Sequence, residues 1–137
     1  MIEGSRDNKY SVSRIPVEIN IEKKGIIKAQ LIRHLAPLTV SEILKNLPLR
    51  GNVYSHIDRF YYLRTNLVLG AEKQKKRFNR GDIAFLPSNA AICFFVAETE
   101  TGLMNYIGKI ISNIDILRKS QSTDILTLRE NSVLAID

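Results

Sequence analysis

The histidines and the cysteine are the side chains of this chain that come closest to known catalytic groups. His34 and His56 are its two histidines, and Cys93 is its one cysteine. No cysteine or acidic residue stands at metal-ligand spacing from either histidine, so we predict no metal and no cofactor. Ser88, His56 and Asp82 could be combined into a Ser–His–Asp triad, but the sequence has no nucleophile elbow to support it. These residue types therefore indicate no familiar catalytic centre.

A stretch in the middle of the chain is the most informative part of the sequence. Gly81–Asn89 and Ile92–Ala97 predict two short strands joined at Pro-Ser-Asn, residues that favour turns. The second run is almost entirely apolar, as in a strand that is buried on both faces. Cys93 lies within it, so we expect an inert buried thiol. Phe94 and Phe95 point to opposite faces, which leaves one for the core and the other for a pocket.

The positive charge of the chain is concentrated in its first part. The net charge is +6, and residues 1–80 contain 16 Lys and Arg against 7 Asp and Glu. A basic loop is expected at 70–80, where a solvated surface is the usual interpretation. The alternative is a nucleic-acid-associated protein that uses the loop 73–80, although no nucleic-acid-binding motif is present. The residues that would contact nucleic acid are Lys73, Lys75, Lys76 and Arg77, with Arg80 beside them.

The first regular elements are predicted to be a hairpin and a helix. Val17–Glu22 alternates apolar and polar residues, and Ile26–Ile32 returns after a Lys-Lys-Gly turn. Residues 39–47 carry apolar side chains at helical spacing, and Pro48 ends the helix. Thr39-Val40-Ser41-Glu42 has the spacing of a capping box that would begin it.

The rest of the chain is predicted to be mainly short strands. Strands are expected within 53–63, at the edge strand 67–69, and at 106–111 and 125–128, with a short helix at 113–119. Many short strands and two brief helices favour a mainly β protein, a β-barrel with helical caps. We expect a polar tail at 1–13, a single domain at 14–137, and a core that includes Val40, Leu44, Ile83, Phe94 and Ile110.

Several of these segments resemble the cyclophilin family. A Phe-Phe strand ending at Phe95 precedes Gly108–Lys109, as it precedes a Gly-Lys-Val strand in cyclophilins, and Leu35–Val40 resembles their Ala-Pro-x-Thr-Val helix entry. Asn52–Ile57 more weakly resembles their Phe-His-Arg segment. The matches cover most of residues 16–130, and the small size resembles the prokaryotic cyclophilin-like proteins of unassigned function. The resemblance implies a cyclophilin-like closed antiparallel β-barrel of about eight strands with two short capping helices.

The resemblance also implies a pocket. Cyclophilins use an arginine that hydrogen-bonds the prolyl amide and a hydrophobic pocket that holds the ring. In the alignment that we favour, His56 replaces the arginine, Phe95 keeps the pocket phenyl ring, and Met104 replaces the pocket histidine. The pocket tryptophan has no counterpart. A shifted register would place Arg59 or Arg64 near the pocket. The predicted catalytic candidates are His56 and Arg59, and the predicted ligand-binding residues are Tyr54, His56, Phe60, Phe95 and Met104.

The leading functional hypothesis is a binding domain with little or no catalytic activity. A retained barrel signature with a substituted pocket favours binding of a peptide or small ligand in an aromatic groove. The alternative is an active peptidyl-prolyl cis-trans isomerase. The N-terminus lacks an apolar signal region, and no apolar run approaches the roughly 18 residues of a membrane span. We therefore expect a cytoplasmic protein that does not act at a membrane.

Overall fold

The computed structural model describes residues 13–131 as a mainly antiparallel β-structure with two short helices, which confirms the predicted fold class. Most of the tail predicted at 1–13 lies outside the described residues. The strands are β1 (Arg14–Ile21), β2 (Gly25–Ile32), β3 (Leu49–Asn52), β4 (Tyr54–His56), β5 (Phe60–Arg64), β6 (Gln74–Phe78), β7 (Asp82–Leu86), β8 (Ala91–Phe95), β9 (Thr99–Ser112) and β10 (Ile125–Glu130), and the helices are α1 (Pro37–Lys45) and α2 (Asp115–Lys119).

The strands form one ten-stranded sheet whose order is β3-β10-β1-β2-β9-β7-β8-β5-β4, with β6 paired to β9 outside this path. The expectation of about eight strands was therefore too low. Within residues 13–131, hydrogen bonds do not close the sheet either, because the path ends at β3 and β4. Val53 alone separates these two strands, so the chain itself joins the two ends of the sheet. Leu63 of β5 also packs across this seam, 3.0 Å from the position of a Cβ on Gly51.

The predicted first hairpin is confirmed as β1 and β2. Its alternation has the expected effect, because Val17, Ile19 and Ile21 are all fully buried. The predicted closing strand is β10, which pairs with β1 on one side and β3 on the other. These local patterns were sufficient because each strand has one clearly apolar face.

Helix α1 begins two residues before the predicted start and is not capped by the expected box. Its first residue is Pro37, which lacks the N–H that the first turn leaves unpaired. The carboxylate of Glu72 accepts hydrogen bonds from the amides of Leu38 and Thr39 at 2.9 and 2.8 Å. The cap therefore comes from a distant loop and not from Glu42. The Thr39 hydroxyl donates to Glu72 at 2.8 Å.

Two expectations for residues 65–80 are wrong. The predicted edge strand 67–69 is an irregular segment, and the predicted basic loop contains strand β6. The segment before β6 is held by Asn105, which is fully buried. The Asn105 amide donates to Thr39 and to the Gly70 carbonyl, and its oxygen accepts from the amide of Glu72 and the side chain of Gln74, all within 2.9–3.1 Å.

The apolar side chains form two clusters on opposite faces of β5, β7 and β8. The main core contains side chains from both helices, including Val40 and Leu117. Ile83 and Phe94 are fully buried there as predicted, whereas Leu44 and Ile110 are half-buried at its border. The second cluster contains Phe60, Phe78, Ala84, Ala91, Cys93, Phe95 and Met104.

Candidate functional site

The second cluster is the floor of a groove on the outer face of the sheet. Strand alternation sends Phe94 into the main core and Cys93 and Phe95 into the second cluster. Phe60 of β5 pairs with Phe95 of β8, and Ala84 of β7 pairs with Cys93. The three neighbouring strands thus present small and aromatic side chains side by side.

A stack of aromatic rings supports this floor. The rings of His56 and Phe60 are stacked with centroids 4.9 Å apart, and Phe60 contacts Phe95 at 5.1 Å. Phe95 lies in turn against Phe78 at 4.7 Å and 10°. Phe95 is fully buried, whereas His56 is exposed. Phe95 therefore packs beside Phe60 and lines neither cavity of the groove.

Two adjoining cavities make up the groove. The larger has a volume of about 480 Å³ and is lined by Arg59 and Met104, among others, and the smaller, of about 200 Å³, is lined by Tyr62 and Cys93. Three side chains border both cavities, namely His56, Phe60 and Leu86. The larger volume lies within the range of pockets for small ligands.

The turn between β4 and β5 positions the two catalytic candidates. Ile57 and Asp58 both have positive φ, 36° and 59°, and the Arg59 amide donates to the His56 carbonyl at 2.9 Å. Both central residues of a type I′ hairpin turn have positive φ, a conformation that is costly for a β-branched residue. The Ile57 side chain is 80% exposed. This strained turn brings His56 and Arg59 to the wall of the larger cavity.

Tyr54, like Phe95, is a predicted ligand-binding residue that lines neither cavity of the groove. Its ring stacks on Tyr62 at 5.4 Å, and the Arg64 guanidinium lies over it at 4.8 Å. Tyr54 borders a separate small depression with Ser55 and Tyr61, and neither cavity of the groove includes it.

The predicted nucleic-acid residues lie in strand β6 and directly before it. Lys73 donates to the His34 carbonyl at 3.1 Å, and Arg77 pairs with Glu100 at 3.1 Å. The ammonium group of Lys75 lies 4.2 Å from the ring centroid of Tyr106. Of the four side chains, only Lys76 has no such partner within the part of the chain that the structure describes. Three of the four side chains therefore contact groups of the chain itself.

Burial determines the chemistry of the thiol and of the phenol near the groove. Burial raises the pKa of the Cys93 thiol to about 12, so the thiolate required for nucleophilic attack is scarce at neutral pH. Burial and the neighbouring Asp82 carboxylate raise the pKa of the Tyr106 hydroxyl. That hydroxyl donates to Asp82 at 3.1 Å. Neither group is prepared to act as a nucleophile.

Sequence reasoning missed the wall of the groove that β9 and the end of β7 provide. Leu86 is the last residue of β7 and borders both cavities, and Thr99–Gly102 line the larger one. No local signal marks Thr99–Gly102, because their role depends on how β9 passes the β4–β5 hairpin. Leu86 could have been found, since it alternates with the buried Phe85.

The comparisons with known proteins agree with this architecture. The sequence matches the cyclophilin-like family over residues 15–129. The chain belongs to the cyclophilin-like family. A solved structure of a hypothetical protein from Archaeoglobus fulgidus, AF2241, superposes with a TM-score of 0.71 at 21% identity, covering 85% of this chain and 95% of that one. A structure of McbB in complex with tryptophan superposes with a TM-score of 0.68 at 18% identity, covering 84% of this chain but 44% of McbB.

These structural likenesses establish the fold of the cyclophilin-like domain and leave its ligand undefined. No curated protein sequence is significantly similar to the chain. Within residues 13–131, no helix is long and apolar enough to cross a membrane. The same residues contain no group of three His, Cys, Asp or Glu side chains placed to hold a metal ion.

Proposed function

We propose that this cyclophilin-like domain binds an apolar side chain of a peptide or small ligand in the outer groove, with little or no prolyl isomerase activity. The observation that carries the proposal is an open cavity on an aromatic floor, with Phe60 supported by Phe95 and bordered by Met104. Apolar pockets with a few polar groups at their border are typical binding sites. McbB, which shares the fold, was solved in complex with tryptophan.

The absence of efficient isomerisation follows from the side chain that replaces the family arginine. Rotation about a peptide bond has a barrier of about 18–20 kcal/mol. Arginine provides a permanent charge and a rigid fork of donors for the prolyl amide. His56, which the alignment places there, is shorter and has at most two ring donors. Its ring is also stacked flat against Phe60, and not extended across the cavity.

Two measurements test this proposal. A proline-containing peptide, monitored by NMR titration, should shift the amides around Phe60 and Met104. Phe60→Ala should remove the binding, whereas Tyr54→Ala should retain it, because Tyr54 borders neither cavity. In a protease-coupled isomerase assay the unmodified protein should show little or no acceleration. Fast isomerisation by the unmodified protein, or equal binding by both variants, would contradict the proposal.

An active isomerase that uses Arg59 is the second candidate function. The observation in its favour is that Arg59 and Phe60 line the same cavity, although the Arg59 guanidinium donates to the Glu98 carbonyl at 3.4 Å. Arg59→Gln should then abolish any measured isomerase activity, and His56→Ala should leave it intact. The reverse result would assign the activity to His56.

A further inference from the structure

Strand β9 contains an interruption that opens onto the groove. Strand β6 pairs with β9 at Met104 and Asn105 and again at Thr99 and Glu100, but not at the residues between them. Strand β7 pairs with β9 from Lys109 back to Asn105 and no further. Residues 101–103 therefore lie opposite the single residue Lys76 and have no strand partner on either side within the described chain. Such bulges leave main-chain groups unpaired and are frequent beside functional sites.

The interrupted segment, residues 101–103, forms part of the wall of the larger cavity. Thr101 and Gly102 line it, and a Cβ built on Gly102 would meet no other atom within 4 Å. The Thr101 hydroxyl donates to the Gly102 carbonyl at 2.6 Å. The strand register pairs none of residues 101–103 with β6 or β7, so this is the part of β9 that another strand could join. An extended peptide satisfies unpaired main-chain groups of this kind by adding a strand.

The wall of the larger cavity also carries a positive charge, that of Arg59. Glu100 lines the cavity but already pairs with Arg77 at 3.1 Å. Arg59 has no carboxylate within salt-bridge distance in the region from residue 13 to residue 131, and its contact with the Glu98 carbonyl is 3.4 Å long. A ligand with a carboxylate would therefore complement the charge on this wall.

We propose that the groove binds an extended peptide whose main chain pairs with residues 101–103 while an apolar side chain rests on Phe60 and a carboxylate two residues along the peptide meets Arg59. This inference rests on the proposed function and adds the class of its ligand. It requires the three contacts together, because the segment, the aromatic floor and the guanidinium border one cavity.

Defined peptides test the inference. The probe is acetyl-Ala-Leu-Ala-Glu-Ala-amide, whose leucine and glutamate face the same side of an extended chain, added to the isotope-labelled protein and monitored by NMR. The analogue with glutamine in place of glutamate should bind about fivefold more weakly, since an exposed ion pair is lost. Two further analogues carry a single N-methyl group, on the leucine amide or on the amide of the alanine that follows it. Successive amides of a strand point to opposite edges, so one analogue should lose roughly three- to tenfold in affinity and the other should not.

Variants of the protein provide matched controls. Gly102→Val should weaken binding of the probe roughly tenfold or more by narrowing the cavity, and Gly70→Val should not, since both glycines face open space but only Gly102 lines the groove. Arg59→Gln should remove the preference for glutamate over glutamine. Arg50→Gln, at an exposed position on β3, should retain that preference.

The possible results separate the inference from the proposed function. The inference would be overturned if the probe binds but both N-methyl analogues lose affinity equally, or if Gly102→Val binds the probe as well as the unmodified protein does. Either result would leave apolar binding in the groove intact. Failure of the probe and of the proline-containing peptide to shift any groove amide would overturn the proposed function as well. Preference for glutamate together with one sensitive N-methyl position would support both.

Discussion

The reactivity of the single cysteine, Cys93, reports whether the floor of the groove is closed. Its side chain is 1% exposed and lines the smaller cavity, and burial raises the pKa of its thiol to about 12. Since the thiolate is the reactive form, we expect an aromatic disulfide reagent at pH 8 to label the native protein very slowly and the urea-unfolded protein at once. Rapid labelling of the native protein would show that the floor of the groove opens readily.

Gly108 illustrates how closely two strands approach at one residue. A Cβ on Gly108 would overlap the carbonyl oxygen of Gln30 in the paired strand β2. We expect Gly108→Ala to lower the free energy of unfolding by about 1–3 kcal/mol, measured by urea denaturation, because backbone atoms cannot move aside cheaply. Gly102→Ala is the control, since its Cβ would enter open space. Equal stability of the two variants would contradict this account.

How much of the groove the sequence could predict differs from residue to residue. Strand alternation correctly predicts that Phe94 and Phe95 face opposite sides. It does not reveal that Phe78 covers Phe95, because that contact depends on where β6 lies. The same limit applies to Tyr54, whose distance from the groove follows from the pairing of β4 and β5. Periodicity determines the face of a strand, and tertiary packing determines what covers that face.

At the scale of elements, helix α1 is tied to the segment before β6 by one carboxylate. Burial alone would raise the pKa of Glu72, but hydrogen bonds from the amides of Leu38 and Thr39, from the Thr39 hydroxyl, and the nearby Lys73 charge lower it overall from 4.5. The sequence predicted Thr39 and Glu42 as the cap because their spacing is ideal. The structure satisfies the same amides from a distance of 33 residues along the chain.

The cap makes stability depend on pH in a defined direction. Because folding lowers the pKa of Glu72, its contribution is present above pH 4.5 and is lost as the pH falls through the folded value. We expect Glu72→Gln to lower the free energy of unfolding at pH 7 by about 1 kcal/mol, and this difference to shrink towards pH 3. Glu42→Gln should have little effect at either pH. An equal loss in both variants would show that Glu42 stabilises the helix as much as Glu72 does.

Two neighbouring apolar residues of helix α1 differ in how far they are buried, and their contributions to stability should differ accordingly. Ile43 is fully buried in the main core, whereas its neighbour Leu44 is half-buried. Ile43→Ala should cost about 2–5 kcal/mol of unfolding free energy through lost transfer energy and a residual cavity. Leu44→Ala should cost clearly less, because part of its surface is already in water. Urea denaturation of both variants decides the order, and an equal cost would show that Leu44 is covered in solution.

At the scale of the whole molecule, family resemblance predicted more of the architecture than periodicity alone. Short apolar strands indicate a β-structure, but the order of ten strands depends on contacts between distant segments, such as β1 with β10. The unpaired seam was not predictable, because β3 and β4 form one nearly continuous run in the sequence. The chain turns at Val53, whose amide donates to the Asp124 carbonyl at 3.2 Å, and each half joins a different edge of the sheet.

The seam is therefore expected to be the first part of the sheet to open. Side chains close it, and Leu63, fully buried, reaches across to Gly51. Leu63→Ala should cost about 2–5 kcal/mol and should accelerate hydrogen exchange of β3 and β5 amides more than that of β1 and β2 amides. Leu31→Ala removes an equally buried side chain from β2, a strand that is paired on both sides, so it should accelerate exchange evenly across the sheet. If both variants accelerate hydrogen exchange evenly across the sheet, the seam that side chains close is as stable as a hydrogen-bonded strand pair.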